Sequence, residues 1–162
     1  MLVLGLRGDY LGVLIAALLL ILFVIDLKTF LLPDIFVGLL LVAVFARLFV
    51  TGHWSLTDSV YGAAVGAGFL GLLWLLTRGK GIGLGDVKLM IPVGLLFGLL
   101  PTVALLLLAF VLGGALGSIL LLRGTAGLKT AIPFGPFLAG VALTFLVWPE
   151  LPRWLLQTIY GL

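Results

Sequence analysis

The chain has 162 residues, 64% hydrophobic and 9% charged, with nine basic and six acidic side chains and a formal net charge of +3. Water-soluble domains carry about 25% charged residues, so an ordinary soluble globule is excluded, and cations scattered this thinly are no nucleic-acid footprint. With no cysteine and a single histidine, His53, disulfides, thiol catalysis and the usual zinc ligand sets are excluded as well, and no metal site is expected. The composition is that of a polytopic membrane protein.

A membrane helix needs about 20 apolar residues to cross about 30 Å of hydrocarbon. The apolar runs here are continuous rather than alternating, which predicts helices and not barrel strands. The first runs from Tyr10 to Ile25 and extends past Asp26. The second follows Pro33 and Asp34 and reaches about Val50, and the third spans about Asp58 to Thr77. The uncharged stretch Leu89–Leu122 would be about 51 Å long as one helix, too long for one span and short for two. Pro101 is the predicted break, giving a short helix near Val87–Leu100 and a full one near Pro101–Leu122. The last span is about Ile132–Trp148, and Leu151–Tyr160, with Arg153 and Trp154, reads as a short interfacial helix. Six transmembrane helices and an all-α fold are expected, in one domain over residues 1–162.

Arg7 is followed two residues on by Asp9, a poor cleavable signal, so the first helix is expected to remain in the mature protein. Lys28, Arg78, Lys80, Lys88, Arg123 and Lys129 fall on one side of the membrane, and Arg7, Arg47 and Arg153 on the other. That asymmetry predicts an outside amino terminus. Small residues recur four apart at Gly62–Gly66, Ala64–Gly68 and Gly113–Gly117, a spacing that lets membrane helices approach closely.

With so few charges, each can be questioned by its place. Asp9 and Asp58 precede long apolar runs and read as helix caps, Asp58 within the capping spacing Ser55-Leu56-Thr57-Asp58. Arg47 and His53 read as interfacial, and Glu150 as solvated. Asp26 follows eight apolar residues, from Leu18 to Ile25, and a carboxylate so placed is a functional candidate unless Lys28 or another base pairs with it. Asp86 ends Gly81-Ile82-Gly83-Leu84-Gly85-Asp86, where alternating glycines permit unusual backbone angles and close approach of another chain segment. A phosphate loop is excluded, since no Gly-Lys-Ser/Thr follows and the acid would repel phosphate. Asp26 and Asp86 fall at similar depth on the same side of the membrane. Two carboxylates brought together share a proton, supplying a general base and a general acid without metal, thiol or cofactor. A proton relay in a transporter could use the same pair.

Three segments then carry a resemblance. Gly83-Leu84-Gly85-Asp86 matches the GxGD motif of membrane aspartyl proteases. The segment from Ile25-Asp26-Leu27-Lys28 to Leu32-Pro33-Asp34 resembles the first catalytic region of bacterial type IV prepilin peptidases, and Ile132-Pro133-Phe134-Gly135-Pro136-Phe137-Leu138-Ala139-Gly140 resembles a third signature of that family. They occur in family order and cover nearly the whole chain. The resemblance implies a GxGD-type aspartyl protease bundle in the bacterial inner membrane, with Asp26 and Asp86 as the catalytic pair. It implies cleavage of short basic leaders from prepilins or pseudopilins of pilus or secretion systems, just after a glycine, at the cytoplasmic face. The partners implied are that substrate and membrane lipid, with no cofactor.

The same resemblance gives Gly83 and Gly85 a supporting role in the loop. Lys88, in the family's Gly-Asp-x-Lys continuation, would position the loop or meet lipid phosphate. Pro133, Gly135 and Pro136 would shape a kinked or re-entrant helix start beside the site. Asp34 lies eight residues from Asp26, about 80° around and about 12 Å along an ideal helix, and reads either as the cap of the second span or as a contact for the basic leader. Many relatives carry an amino-terminal extension with paired Cys-x-x-Cys motifs associated with methylation. A chain without cysteine resembles the shorter, peptidase-only members, so no methyltransferase activity is expected. Presenilin-like proteases share Gly-Leu-Gly-Asp but pair it with Tyr-Asp and a Pro-Ala-Leu motif, where this chain has Ile25-Asp26 and Ile-Pro-Phe-Gly-Pro. That protease class, a small proton-coupled transporter and an inactive assembly subunit are the alternative readings.

Overall fold

A computed structural model of the chain describes residues 9–52, 55–123 and 133–160. Within them lie seven helices: α1 Tyr10–Thr29, α2 Asp34–Thr51, α3 Leu56–Thr77, α4 Leu84–Phe97, α5 Leu99–Leu122, α6 Gly135–Val147 and α7 Glu150–Tyr160. Arg7, His53, Lys129 and Ile132, each named from the sequence, lie outside the described residues, as does the Arg153 side chain.

Four of these helices, α1, α2, α3 and α5, are long and apolar enough to cross a membrane. Only 17 to 33% of the residues in their apolar windows are buried inside the protein. Leu14, Leu20, Leu39, Phe49, Leu72 and Leu112 point outward, as expected where hydrocarbon is the solvent. The helices α4 and α6, with 14 and 13 residues, would each be only about 20 Å long.

The break between α4 and α5 falls at Gly98, not at Pro101. Gly98 has φ 78° and ψ −174°, a conformation open essentially to glycine alone. Pro101 instead sits in the first turn of α5, where a missing N–H costs no helical hydrogen bond. The Asp58 carboxylate accepts a hydrogen bond from Leu99 N at 3.1 Å. Asp58 therefore caps α5, while the Ser55 hydroxyl accepts from Asp58 N at 3.4 Å to cap α3. Asp9 caps α1 as expected, accepting from Gly12 N at 2.7 Å, and its second oxygen binds Arg47 Nε at 2.8 Å.

The most extensive helix pair is α3 with α4, and α1 packs next most broadly on α6. Their glycines explain the first contact. A Cβ on Gly94 would meet the Gly62 carbonyl at 2.5 Å, and one on Gly62 would meet the Gly98 backbone at 2.6 Å. The backbones touch at Gly62 and Gly94 without intervening side chains, while Gly66 makes room for the side chains of Met90 and Thr102. Leu19, Leu22, Leu89, Leu105, Leu138 and Phe145 close the centre of the bundle. Leu151 and Leu155 of α7 pack on this core while Trp154 stays exposed.

Candidate functional site

Antiparallel packing brings the carboxyl ends of α1 and α3 to the amino ends of α2, α4 and α6. These ends surround an open cavity of about 420 Å³, lined by residues from Asp26 to Asp34, by Gly79 to Lys88 and by Pro133 and Phe134. Asp26 and Asp86 both line it. They are 4% and 6% exposed, two of the few polar side chains buried among the described residues.

Each carboxylate is held by backbone. Asp86 is the third residue of α4, and its Oδ2 accepts from Gly83 N at 3.2 Å across the first turn. That is half of a capping box, with an acid at the positive end of the helix dipole. Asp26 lies in the last turn of α1, and its carboxylate accepts from the backbone N–H of Gly135, the first residue of α6. Gly135 stands between the two acids. A Cβ built there would overlap Asp26 Oδ2 and lie 3.0 Å from Asp26 Cγ and 3.1 Å from Asp86 Oδ1. The two carboxylates, 60 residues apart in sequence, thus converge on one point.

Lys28 is not the partner of Asp26. Two residues apart on a helix, they lie on different faces, and the ion pairs found among the described residues are Asp9–Arg47 and Asp34–Lys88. No group of three or more His, Cys, Asp or Glu that could hold a metal occurs among the described residues.

The Gly-rich segment works by space more than by unusual angles. Gly83 is ordinary extended backbone, with φ −78° and ψ 149°, and a Cβ there would meet Asp86 Oδ2 at 3.5 Å, a normal contact. Left-handed backbone occurs just upstream, at Arg78 and Gly79. Gly85 realises the close approach: a Cβ on it would meet Leu32 Cβ at 2.9 Å. Leu32 belongs to the α1–α2 connection, which turns sharply at Phe30, a non-glycine residue at φ 56°. This contact locks the turn after Asp26 against the turn before Asp86. Nothing in the spacing of Leu32 or Phe30 marks them for this position.

Pro133 and Phe134 line the cavity, and Gly135 and Pro136 are buried in the first turn of α6, so the third segment lies at a helix start beside the two acids. Asp34 does not cap α2. Pro33 is the cap residue, its carbonyl accepting from Phe36 N and Val37 N at 3.1 and 3.3 Å, while Asp34 is already helical and its side chain is drawn to Lys88. Lys88 Nζ lies 2.8 and 2.9 Å from the two Asp34 oxygens. No pattern in one strand of sequence pairs an acid on α2 with a base on α4.

The type IV leader peptidase family matches the chain over residues 13–118. The chain belongs to that family. It is 36% identical over 143 residues to the prepilin leader peptidase/N-methyltransferase of Aeromonas salmonicida, covering 83% of this chain and 48% of that protein. It is 39% identical over 145 residues to the protein of that name in Burkholderia pseudomallei, covering 83% and 46%. It is also 37% identical over 133 residues to leader peptidase HopD of Escherichia coli, covering 78% and 85%. The chain therefore spans about half the length of the bifunctionally named relatives and most of HopD. No solved structure matches it.

Proposed function

We propose that this chain is a single-domain membrane aspartyl endopeptidase that removes the short basic leader from prepilins or pseudopilins. The observation that carries the reading is the convergence of Asp26 and Asp86 around Gly135 on an open cavity, in a chain of this family. Two carboxylates this close hold one proton between them. The ionised one takes a proton from water as the water oxygen attacks the scissile carbonyl carbon. The protonated one gives its proton to the amide nitrogen as the C–N bond breaks, and the pair ends with one proton again. Gly135 N–H orients Asp26 and Gly83 N–H orients Asp86 for this exchange.

The proposal extends to topology. All six helices before α7 cross the membrane, α4 and α6 as short crossings, with the amino terminus outside. Lys28, Arg78, Lys80, Lys88 and Arg123 then share the cytoplasmic side with the cavity, so the enzyme meets its substrate at the inner face of the cytoplasmic membrane, and α7 with Trp154 rests at the opposite lipid interface. Methyl transfer is no part of the activity proposed for these 162 residues, which contain no cysteine.

The test uses purified protein in liposomes, a prepilin with a basic leader, and mass spectrometry of the new amino terminus. A cut just after the leader glycine, lost in Asp26→Ala and in Asp86→Ala with the fold intact, is expected. Turnover retained in either variant removes that residue from the mechanism. A cut deep within the substrate's apolar helix would favour a presenilin-like activity instead.

A further inference from the structure

We propose that Asp34 is the subsite for a basic side chain of the leader, and that Lys88 is the resident cation the leader displaces; this rests on the leader peptidase reading. The site is already seen holding an ammonium group. Lys88 Nζ sits 2.8 Å from one Asp34 oxygen and 2.9 Å from the other, so the carboxylate presents both oxygens to a single cation. The contact is open, with the two side chains 49% and 72% exposed, and an exposed pair exchanges one cation for another at little cost.

Asp34 also stands in the right place. It lines the same cavity as Asp26 and Asp86 and is the third acid there, the one outside the converging pair. Its backbone is fixed, because Pro33 sets the entry to α2 and Asp34 is the first helical residue. The acid is therefore held while its partner, at the end of a four-carbon stem, is free to swing away. Lys80 lines the same cavity and repels a cationic leader, so outside the reacting pair the leader's attraction rests on Asp34, whose partner among the described residues is a lysine the leader can replace.

Binding is measured apart from cleavage. Full-length Asp26→Ala protein in zwitterionic nanodiscs is titrated with fluorescent prepilin amino-terminal peptides whose leader carries Lys, Gln or Glu. The Lys leader is expected to bind about two- to fivefold tighter than the Gln leader, the range of one exposed ion pair. Asp34→Asn should abolish that preference, Asp34→Glu should keep it, and Asp34→Lys should turn it towards the Glu leader. Lys88→Gln should tighten binding of the Lys leader, since no resident cation then competes. A preference for Lys that survives in Asp34→Asn overturns the proposal. If Asp34→Asn fails to fold, weakened binding of the Lys leader by Lys88→Gln overturns it equally. Turnover is read separately with Asp26 restored. Charge-selective binding without cleavage would sink the peptidase reading and leave the subsite; cleavage with no dependence on residue 34 and leader charge would sink the subsite alone.

Discussion

The backbone N–H of Gly135 donates to the carboxylate of Asp26, joining the first turn of α6 to the last turn of α1. The same residue leaves no room for a side chain, because Asp86 Oδ1 lies 3.1 Å from where its Cβ would be. Glycine is required here for space and not for a special backbone angle.

Gly135→Ala is thus a test of the pair's geometry that removes no acid. The methyl group must push Asp26 and Asp86 apart, and a displacement of about 1 Å at reacting groups costs about a hundredfold in rate. The expected outcome is a loss of prepilin cleavage of about that size with helix content preserved, checked by cleavage kinetics beside circular dichroism. Wild-type turnover in this variant would mean that the two carboxylates do not work as a unit.

The α3–α4 contact predicts a contrast among glycines. Gly94→Ala places a methyl group 2.5 Å from the Gly62 backbone, and such overpacking costs about 1–3 kcal/mol. Gly38 and Gly68 have nothing within 4 Å of a built Cβ. Gly38→Ala and Gly68→Ala should leave stability within about 0.5 kcal/mol or raise it slightly. Unfolding in a common detergent ranks the four proteins, and equal midpoints would refute backbone contact between the helices.

At the opposite end of the bundle, Asp58 holds the start of α5 through Leu99 N. Asp58→Ala should cost about 0.5–2 kcal/mol, the usual effect of losing a cap, while Asp58→Asn keeps an acceptor oxygen and should cost less. Gly98→Ala should cost more than either substitution. It forces a side chain to φ 78° and into the Asp58 carboxylate. Thermal unfolding of the three variants checks the order.

Asp9 supplies a pH signature. Burial pushes its carboxyl up, but the Arg47 hydrogen bond, the Gly12 N–H and the Arg47 charge outweigh that and hold it below its ordinary value of 3.8. A carboxyl depressed in the folded state binds its proton more readily when unfolded. Its stabilising contribution is complete above about pH 4 and disappears as pH falls through the folded-state value. Asp9→Asn and Arg47→Gln should each lower the unfolding midpoint at neutral pH and flatten its fall below about pH 4. An acid limb unchanged from wild type would show that this pair does not bear on stability.

Much of this protein could be read from the chain alone. Composition points to the solvent: at 64% hydrophobic residues, a run such as Leu99–Leu122 is long and apolar enough to cross a membrane as a helix that satisfies its backbone internally. Asp26 and Asp86 also stand out without coordinates, Asp26 because an acid in such a run needs a reason and Asp86 because it ends a run of alternating glycines. Boundaries were less legible. Pro101 is the break that the sequence predicts between α4 and α5, yet proline is harmless in a first turn, and the break lies where Gly98 takes an angle open essentially to glycine. Asp34 reads from the sequence as a cap or as a contact for the leader; the cap is Pro33, and the Asp34 side chain is set by Lys88, 54 residues away. Tertiary structure alone decided that Gly135 stands between the two acids, that Leu32 presses on Gly85, and that Asp58 caps a helix other than its own. Periodicity and composition act along the chain over a few turns, whereas these contacts form only when separate helix ends pack against one another.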